Sequence, residues 1–358
     1  MTETAYWPNQ RTELPRPGDG SRRAEGGLRH TGGLKSSRPG EPLVSYVTVV
    51  RNAQGTVART LASVREQSWP NVEHIVVDGL SSDGTLALIE QHADRIDCYV
   101  SESDRGLYDA LNKAIDLARG ELICVLNADD WLTRDAALVA AQAHLAAGPE
   151  QRRLVLSAAW AVQGGRRTLW SPGRLDMGSY LSCANVCHNG VYATPGAYAA
   201  SGRYASHLRI AADFRWLMAC VDTGVEIKVI ETPTVHYSMG GVSGNVQQHT
   251  ADCAQVLQER FPFLGDDEVW GLMHAFHQFR PHLDAYAKRR PAHLGRFLEQ
   301  LVRAHQGQAD LMRALALAST TALNHPDDEL PTARLSGPEK TRRSLKRRWL
   351  SLRARWVC

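Results

Sequence analysis

Residues 43–85 read LVSYVTVVRNAQGTVARTLASVREQSWPNVEHIVVDGLSSDGT. The stretch opens on an apolar, β-branched run that stops at Arg51-Asn52. Val57, Leu61 and Val64 then recur at helical spacing over 56–67, and HIVVD (74–78) is a second apolar run, ending in Asp78 before a turn-rich loop. Strand, helix and strand in that order, with strands apolar on both faces, specify parallel strands covered on both sides. The unit repeats outward, with a helix over 85–92, the short strand CYVSE (98–102), a helix at about 107–118 and the run ELICVLNADD (121–130). The fold class is α/β: an open, mostly parallel, Rossmann-like sheet with helices on both faces. Ligands in such sheets bind at the carboxyl ends of the strands. The polar residues collect there: Arg51-Asn52, Asp78, Glu102 with Asp104, and Asn127 with Asp129-Asp130.

Further along, strands are expected at 154–162, 191–194 and 225–230, with a helix at 211–222. Residues 250–323 are mainly helical and 324–340 a linker by composition. Residues 1–42 hold seven glycines and five prolines with almost no apolar periodicity, the composition of a disordered leader.

The chain has 358 residues, 43% hydrophobic and 22% charged, enough to bury a full core in one large or two modest domains. No run approaches the roughly 18 apolar residues of a membrane span, and residues 1–30 carry charges and prolines where a secretory signal needs an apolar stretch. The expected location is cytoplasmic, or peripheral on the inner face of the plasma membrane. Seven scattered cysteines, an odd number, favour reduced thiols over a disulfide framework.

Residues 340–358 carry eight basic side chains and no acidic one. Set against a chain total of +3, that +8 leaves −5 for the rest. An acidic body with a basic tail argues against nucleic acid as a partner. In the tail, Leu345, Trp349, Leu352 and Trp356 form one helical stripe flanked by arginines, the composition of a helix lying on an anionic membrane, or of one docking on the acidic body.

Carboxylates at a strand exit suit a hard divalent ion that binds substrate phosphates, which is one reading of Asp129-Asp130; capping of the following helix is the other. Asp78 is suited to accept from a nucleobase N–H or a ribose hydroxyl, whereas Asp83 and Thr85 read as turn and cap. Cys183, Cys187 and His188 (SCANVCHNG) have no second ligand pair nearby, and zinc is disfavoured there.

The segments VTVVRN, VVDGLSSDGT, SESDRGLYDALNKAIDLARG and VLNADD, within residues 44–135, resemble in order and spacing the nucleotide-sugar-binding half of the family 2 glycosyltransferases, inverting enzymes of the GT-A fold. The segment ESDRGLYDALNKAI further resembles a bacterial subgroup of colanic-acid and O-antigen type. The resemblance implies a metal-dependent hexosyl transfer from a nucleoside-diphosphate sugar to an acceptor hydroxyl, with a glycan or lipid-linked sugar as acceptor. It divides the chain into a glycosyltransferase domain at 43–249 (nucleotide-sugar half 43–135, acceptor half 136–249), a helical extension at 250–323 and a linker with basic tail at 324–358.

The resemblance also implies roles for particular residues. Asn127-Ala128-Asp129 falls on the family's DXD motif, so Asp129 is the expected ligand of Mg²⁺ or Mn²⁺, with Asn127 in a ribose or water-mediated contact. Val50 and Asn52 match the loop flanking the base, and Asp78 the residue contacting base or ribose. Asp104, Arg105 and Lys113 fall in the segment lining the donor, with Asp130 beside the motif; Lys113 also reads as a solvated helix lysine. Inverting transfer needs a general base, and Asp213, opening the helix over 211–222, is the candidate. His236 (TVHYSMGGVSG) falls where a late histidine meets metal or phosphates, and His188 on the acceptor side or as a strand cap.

A dehydrogenase is disfavoured because no G-x-G-x-x-G follows the first strand, and a nucleotidyltransferase because VTVVRNAQGTVART lacks a basic, glycine-rich loop. A non-catalytic nucleotide-sugar or glycan-binding scaffold of the same fold is the remaining rival.

Overall fold

The computed structural model describes residues 21–148, 150–183, 186–241 and 244–324. The chain divides into two compact units, the first holding residues up to 175 and 185–252, the second 176–184 and 253 onward.

The first unit is built on ten strands. In chain order they are β1 (Ala24–Gly26), β2 (Val44–Val50), β3 (Val72–Asp78), β4 (Cys98–Ser101), β5 (Leu122–Val125), β6 (Trp131–Leu132), β7 (Arg153–Gln163), β8 (Arg166–Trp170), β9 (Val191–Ala193) and β10 (Glu226–Ser238). They form one sheet in the order β1-β4-β3-β2-β5-β9-β7-β10-β6, with β8 paired to β7. Strands β4, β3, β2 and β5 are parallel, as the apolar runs require, and every residue of β2 is buried. Beyond β5 the sheet turns mixed: β9 is antiparallel to both β5 and β7, β7 and β10 are parallel, and β6 closes antiparallel on β10. "Mostly parallel" therefore holds for the first half and not for the second.

In chain order the helices up to residue 222 are α1 (Val57–Arg65), α2 (Thr85–Gln91), α3 (Leu107–Leu117), α4 (Ala136–Ala146), α5 (Ser179–Ser182), α6 (Pro195–Ser201) and α7 (Ala212–Asp222), all of the first unit except α5. One core gathers Val44, Tyr46, Leu122, Cys124, Val155, Tyr192 and Val235 with the alanine face of α4. Another gathers Val50, Val57, Leu61, Val76 and Ile89 under α1 and α2.

Residues 21–42 correct the expectation of a disordered leader. Strand β1 pairs antiparallel with β4 and covers that sheet edge. Three basic residues of the segment meet buried acids: Arg22 with Glu102 at 2.6 Å, Arg29 with Glu73 at 2.7 Å and Lys35 with Asp97 at 3.0 Å. Arg23 donates to the Ser81 carbonyl at 2.7 Å. Ion pairing, which has no local periodicity, orders a segment whose composition lacks a core. Residues 1–20, and the linker and tail over 325–358, lie outside the described residues.

The second unit holds α5, the later part of α8 (Val246–Arg260), α9 (Asp266–Phe276), α10 (Leu294–His305) and α11 (Ala309–Asn324). Tyr180 meets Phe261 edge-on at 5.9 Å, and Trp270 stacks on Tyr286 at 4.2 Å. Leu272, Met273, Leu298, Leu301, Leu311 and Leu315 are buried. The helical extension thus begins at 253 and also takes in 176–184. None of the described helices is long and apolar enough to cross a membrane, and the six described cysteines form no disulfide.

Candidate active site

The carboxyl ends of β2 and β3 are laced into one surface. Asn52, with φ 52°, donates its backbone N–H to Ser81 Oγ at 2.8 Å and accepts from Ser82 N at 2.8 Å. Ala53 N donates to Thr85 Oγ1 at 2.8 Å, and the Val50 carbonyl accepts from Gly79 N at 2.9 Å. Asp83 accepts from Thr85 N at 2.9 Å, the turn role expected of it.

Asp78 lies beneath this surface, 1% exposed. Its carboxylate accepts from Ser81 N at 3.1 Å, from Ser81 Oγ and from Ser101 Oγ at 2.6 Å. Through these bonds it holds the 79–85 loop in place. Asp104 comes to the same strand end, where a Cβ on Gly79 would run into its carboxylate, and its other oxygen accepts from Gly106 N at 2.8 Å.

Arg105 and Lys113 are each paired with an acidic neighbour. Arg105 is 85% exposed and pairs with Asp109 at 3.0 Å across the first turn of α3. Lys113 donates to the Ser103 carbonyl at 2.6 Å and pairs with buried Glu102 at 2.9 Å, the acid that also holds Arg22.

At the end of β5 the two neighbouring aspartates differ. The Asp129 main chain is clamped: its carbonyl accepts from Arg59 Nη2 at 2.8 Å and from Ser238 Oγ at 2.7 Å. Its carboxylate is half-buried and accepts no hydrogen bond from a described residue, and a Cβ on Gly241 would meet Oδ2 at 3.2 Å. A glycine there lets the chain pass close to that oxygen. Asp130, in contrast, is fully buried. It accepts from Ser238 N at 2.6 Å and from Asn189 Nδ2, while Thr60 Oγ1 donates to its carbonyl at 2.7 Å. Burial and then the charge of Asp129 push its carboxyl up to about 8, against the Ser238 N–H and the Asn127 side chain, which favour the charged form. Asp130 is held inside the fold by these bonds, and the Asn127 side chain turns to it.

His236 lies opposite Trp131 in the β10–β6 register, and the two rings stack at 4.8 Å. Arg59 also lies over the Trp131 ring, its guanidinium 3.6 Å from the centroid. Burial, then Arg167 and Arg59, lower the imidazole to about 4, so it is neutral near pH 7, and Nδ1 is buried without a hydrogen-bond partner among the described residues. A neutral imidazole is the form that ligates a metal. An open carboxylate beside a close-passing glycine, with a neutral histidine on an adjoining strand, fits a hard cation that keeps most of its ligands from water and phosphate.

Asp213 sits in the first turn of α7, half-buried. Tyr108 of α3 donates its hydroxyl to Asp213 Oδ1 at 3.1 Å and shares it with the Ile210 carbonyl. Asp252, 4% exposed, accepts from the backbone N–H groups of Arg209, Ile210 and Ala211 at 3.0, 2.8 and 3.2 Å, fixing the approach to α7. The turn at His188–Gly190 reaches both carboxylate regions. Asn189 binds Asp130, while His188, held by Tyr204 Oη at 2.8 Å, lies within reach of the Asp213 charge. Burial lowers the His188 imidazole and that charge partly offsets it. Asp129-Asp130 and Asp213, expected on one cleft, are thus joined through a single three-residue turn.

A sequence model of the family described as Glycosyl transferase family 2 matches residues 45–173. These residues are a family 2 glycosyltransferase domain. A Bacillus subtilis glycosyltransferase named for teichuronic acid biosynthesis, TuaG, is 37% identical over 98 residues, 26% of this chain and 39% of the relative. A PGL/p-HBAD biosynthesis glycosyltransferase of Mycobacterium tuberculosis is 28% identical over 182 residues, 50% of this chain and 70% of the relative. The chain therefore spans well under half of the first relative and about two thirds of the second. S. aureus TarS 1-349 in complex with UDP-GlcNAc superposes with a TM-score of 0.52 at 13% identity, covering 79% of this chain and 92% of that one. That likeness establishes the GT-A fold.

Sequence reasoning missed Arg59, Tyr108's contact to Asp213 and the grip of Asp252. Tyr108 stands inside the ESDRGLYDALNKAI segment, which was the available signal; Arg59 and Asp252 carry none, because each acts on backbone atoms distant in sequence.

Proposed function

We propose that the chain is an inverting, metal-dependent glycosyltransferase that moves a sugar from a nucleoside-diphosphate donor to an acceptor hydroxyl. The observation that carries this is the pairing of two differently prepared carboxylates: Asp129, clamped by its main chain with its side chain open, and Asp213, held at one oxygen by Tyr108.

In this reading Asp213 is the general base. Tyr108 fixes Oδ1, and Oδ2, to which no described side chain donates, takes the acceptor proton as the hydroxyl oxygen attacks the anomeric carbon. The bond between that carbon and the diphosphate breaks as the new one forms, and the nucleoside diphosphate leaves. Asp129, with His236 as second ligand, would hold Mg²⁺ or Mn²⁺, whose charge would offset that of the diphosphate leaving group. Val50, Asn52 and Asp104 border the nucleotide end, with Asp78 acting through the loop it fixes. His188 orients the acceptor beside Asp213.

The names of the two relatives support a role in assembling a polysaccharide or lipid-linked glycan at the cell envelope. The UDP-GlcNAc bound by TarS makes UDP sugars the first donors to test. The test is release of nucleoside diphosphate from a panel of UDP-, GDP- and dTDP-sugars with a lipid-linked acceptor extract, with Mn²⁺ or a chelator. Mn²⁺-dependent turnover of one donor, lost in Asp213→Asn, is expected. Donor binding with no turnover under any acceptor condition would favour the scaffold.

A further inference from the structure

The helical unit contains a cluster that the transfer chemistry does not use. Cys183 follows α5, Cys253 lies on α8 and His277 ends α9, and one ligand atom from each lies within 4.8 Å of the other two. All three residues are buried, at 3%, 1% and 3% exposure. From these residues we infer a structural site for a thiophilic divalent metal, zinc by its ligand chemistry, independent of the catalytic reading.

His277 is satisfied at only one of its ring nitrogens among the described residues. Its Nδ1 accepts from Phe279 N at 3.0 Å, whereas its Nε2 is buried with no hydrogen-bond partner among the described residues. A buried polar nitrogen without a partner costs about 1–3 kcal/mol, so it calls for an explanation. A disulfide between Cys183 and Cys253 would leave the nitrogen orphaned; a metal shared by all three satisfies it. Two thiolates cancel the charge of a divalent ion, so the filled site is neutral and its burial is tolerable. Tetrahedral zinc, with bonds of about 2.3 Å to sulfur and 2.0 Å to nitrogen, sets ligand atoms roughly 3.5–3.8 Å apart. Atoms already within 4.8 Å reach that spacing by shifts of about an ångström.

A metal on Nε2 moves the ring proton to Nδ1, so the Phe279 N–H must turn away on loading. The fourth position falls to His282, whose ring centroid lies 5.9 Å from that of His277, or to water. The filled site clips together three segments distant in sequence, and its binding free energy becomes folding free energy of the helical unit. The spacing Cys183-x3-Cys187-His188 is not the one used: Cys187 and His188 belong to the first unit, and the partners of Cys183 come 70 and more residues later.

The test uses Co²⁺ as probe on the full chain, purified reduced and metal-free. One thiolate-bound Co²⁺ per chain is expected, with near-ultraviolet thiolate-to-cobalt absorption and the intense visible bands of a four-coordinate site. Cys98→Ala, a buried cysteine outside the cluster, should keep the spectrum. Cys183→Ser and Cys253→Ser should lose it, and His277→Gln should weaken binding at least tenfold. Absence of thiolate absorption in the reduced wild type at stoichiometric Co²⁺ would overturn the site whatever the variants do. So would an equal spectrum in every variant, or a Cys183–Cys253 disulfide in protein alkylated at harvest.

Discussion

The hydroxyl of Tyr108 donates to Asp213 Oδ1 at 3.1 Å, joining two helices whose contacting residues are 105 positions apart. Through this bond the sequence segment most distinctive of the nucleotide half holds the carboxylate proposed as base. Burial, and then the Asp213 charge, raise the tyrosine well above its usual range, so it stays a donor throughout the working pH range.

Tyr108→Phe removes the hydrogen bond that holds Asp213 Oδ1 in place. It should lower kcat about tenfold, for loss of one charge-assisted hydrogen bond, with donor KM within about threefold of wild type. An unchanged kcat would reduce Tyr108 to packing.

Asp213→Asn should cost roughly 10²–10⁴ in kcat while leaving donor KM within about threefold, as expected of a proton acceptor that contributes nothing to nucleotide binding. Full activity in this variant would remove Asp213 from the mechanism.

Removing residues 1–35 strips Arg22, Arg29 and Lys35 from Glu102, Glu73 and Asp97. Arg22→Ala alone should cost about 3 kcal/mol, because Glu102 is 3% exposed and keeps only Lys113. Calorimetry should then find the glycosyltransferase domain melting roughly 6–12 °C lower. A change under 1 °C would mean the strap is dispensable.

His74 is buried against Thr48 Oγ1 at 3.0 Å, and burial, then Lys35, lower it to about 3. Its folded value lies below the unfolded one, so stability is intact above about pH 6.5 and falls as pH drops from there toward 3, where the folded form also takes the proton. At pH 5 the loss is about 2 kcal/mol. Denaturant midpoints of wild type and His74→Gln across pH 5–7.5 should show a flatter acid limb in the variant; parallel curves would contradict this.

The first half of the sheet was legible because strands buried on both faces write continuous apolar runs, as LVSYVTVV and HIVVD do. Strand β10 was expected over six residues and runs for thirteen, because its later part, around Thr234–His236, is set by pairing with β7 and β6 rather than by local pattern. Residue type located the acids of the site but not their state. Asp129 and Asp130 are adjacent and read alike, yet one is open and the other consumed by Asn189 and Ser238, partners 59 and 108 positions away. Lys113 and Arg22 meet on Glu102 for the same reason: tertiary charge pairing leaves no trace in spacing.

The most direct test of the central claim is calorimetric titration of the cognate donor, chosen by a thermal-shift panel of UDP, GDP, CMP and dTDP with their sugar conjugates, into wild type, Asp129→Ala and Asp213→Asn with and without Mn²⁺. The account predicts Mn²⁺-dependent binding in wild type and Asp213→Asn, and its loss in Asp129→Ala. Binding retained in Asp129→Ala, or lost in Asp213→Asn, would contradict the division of labour between the two carboxylates.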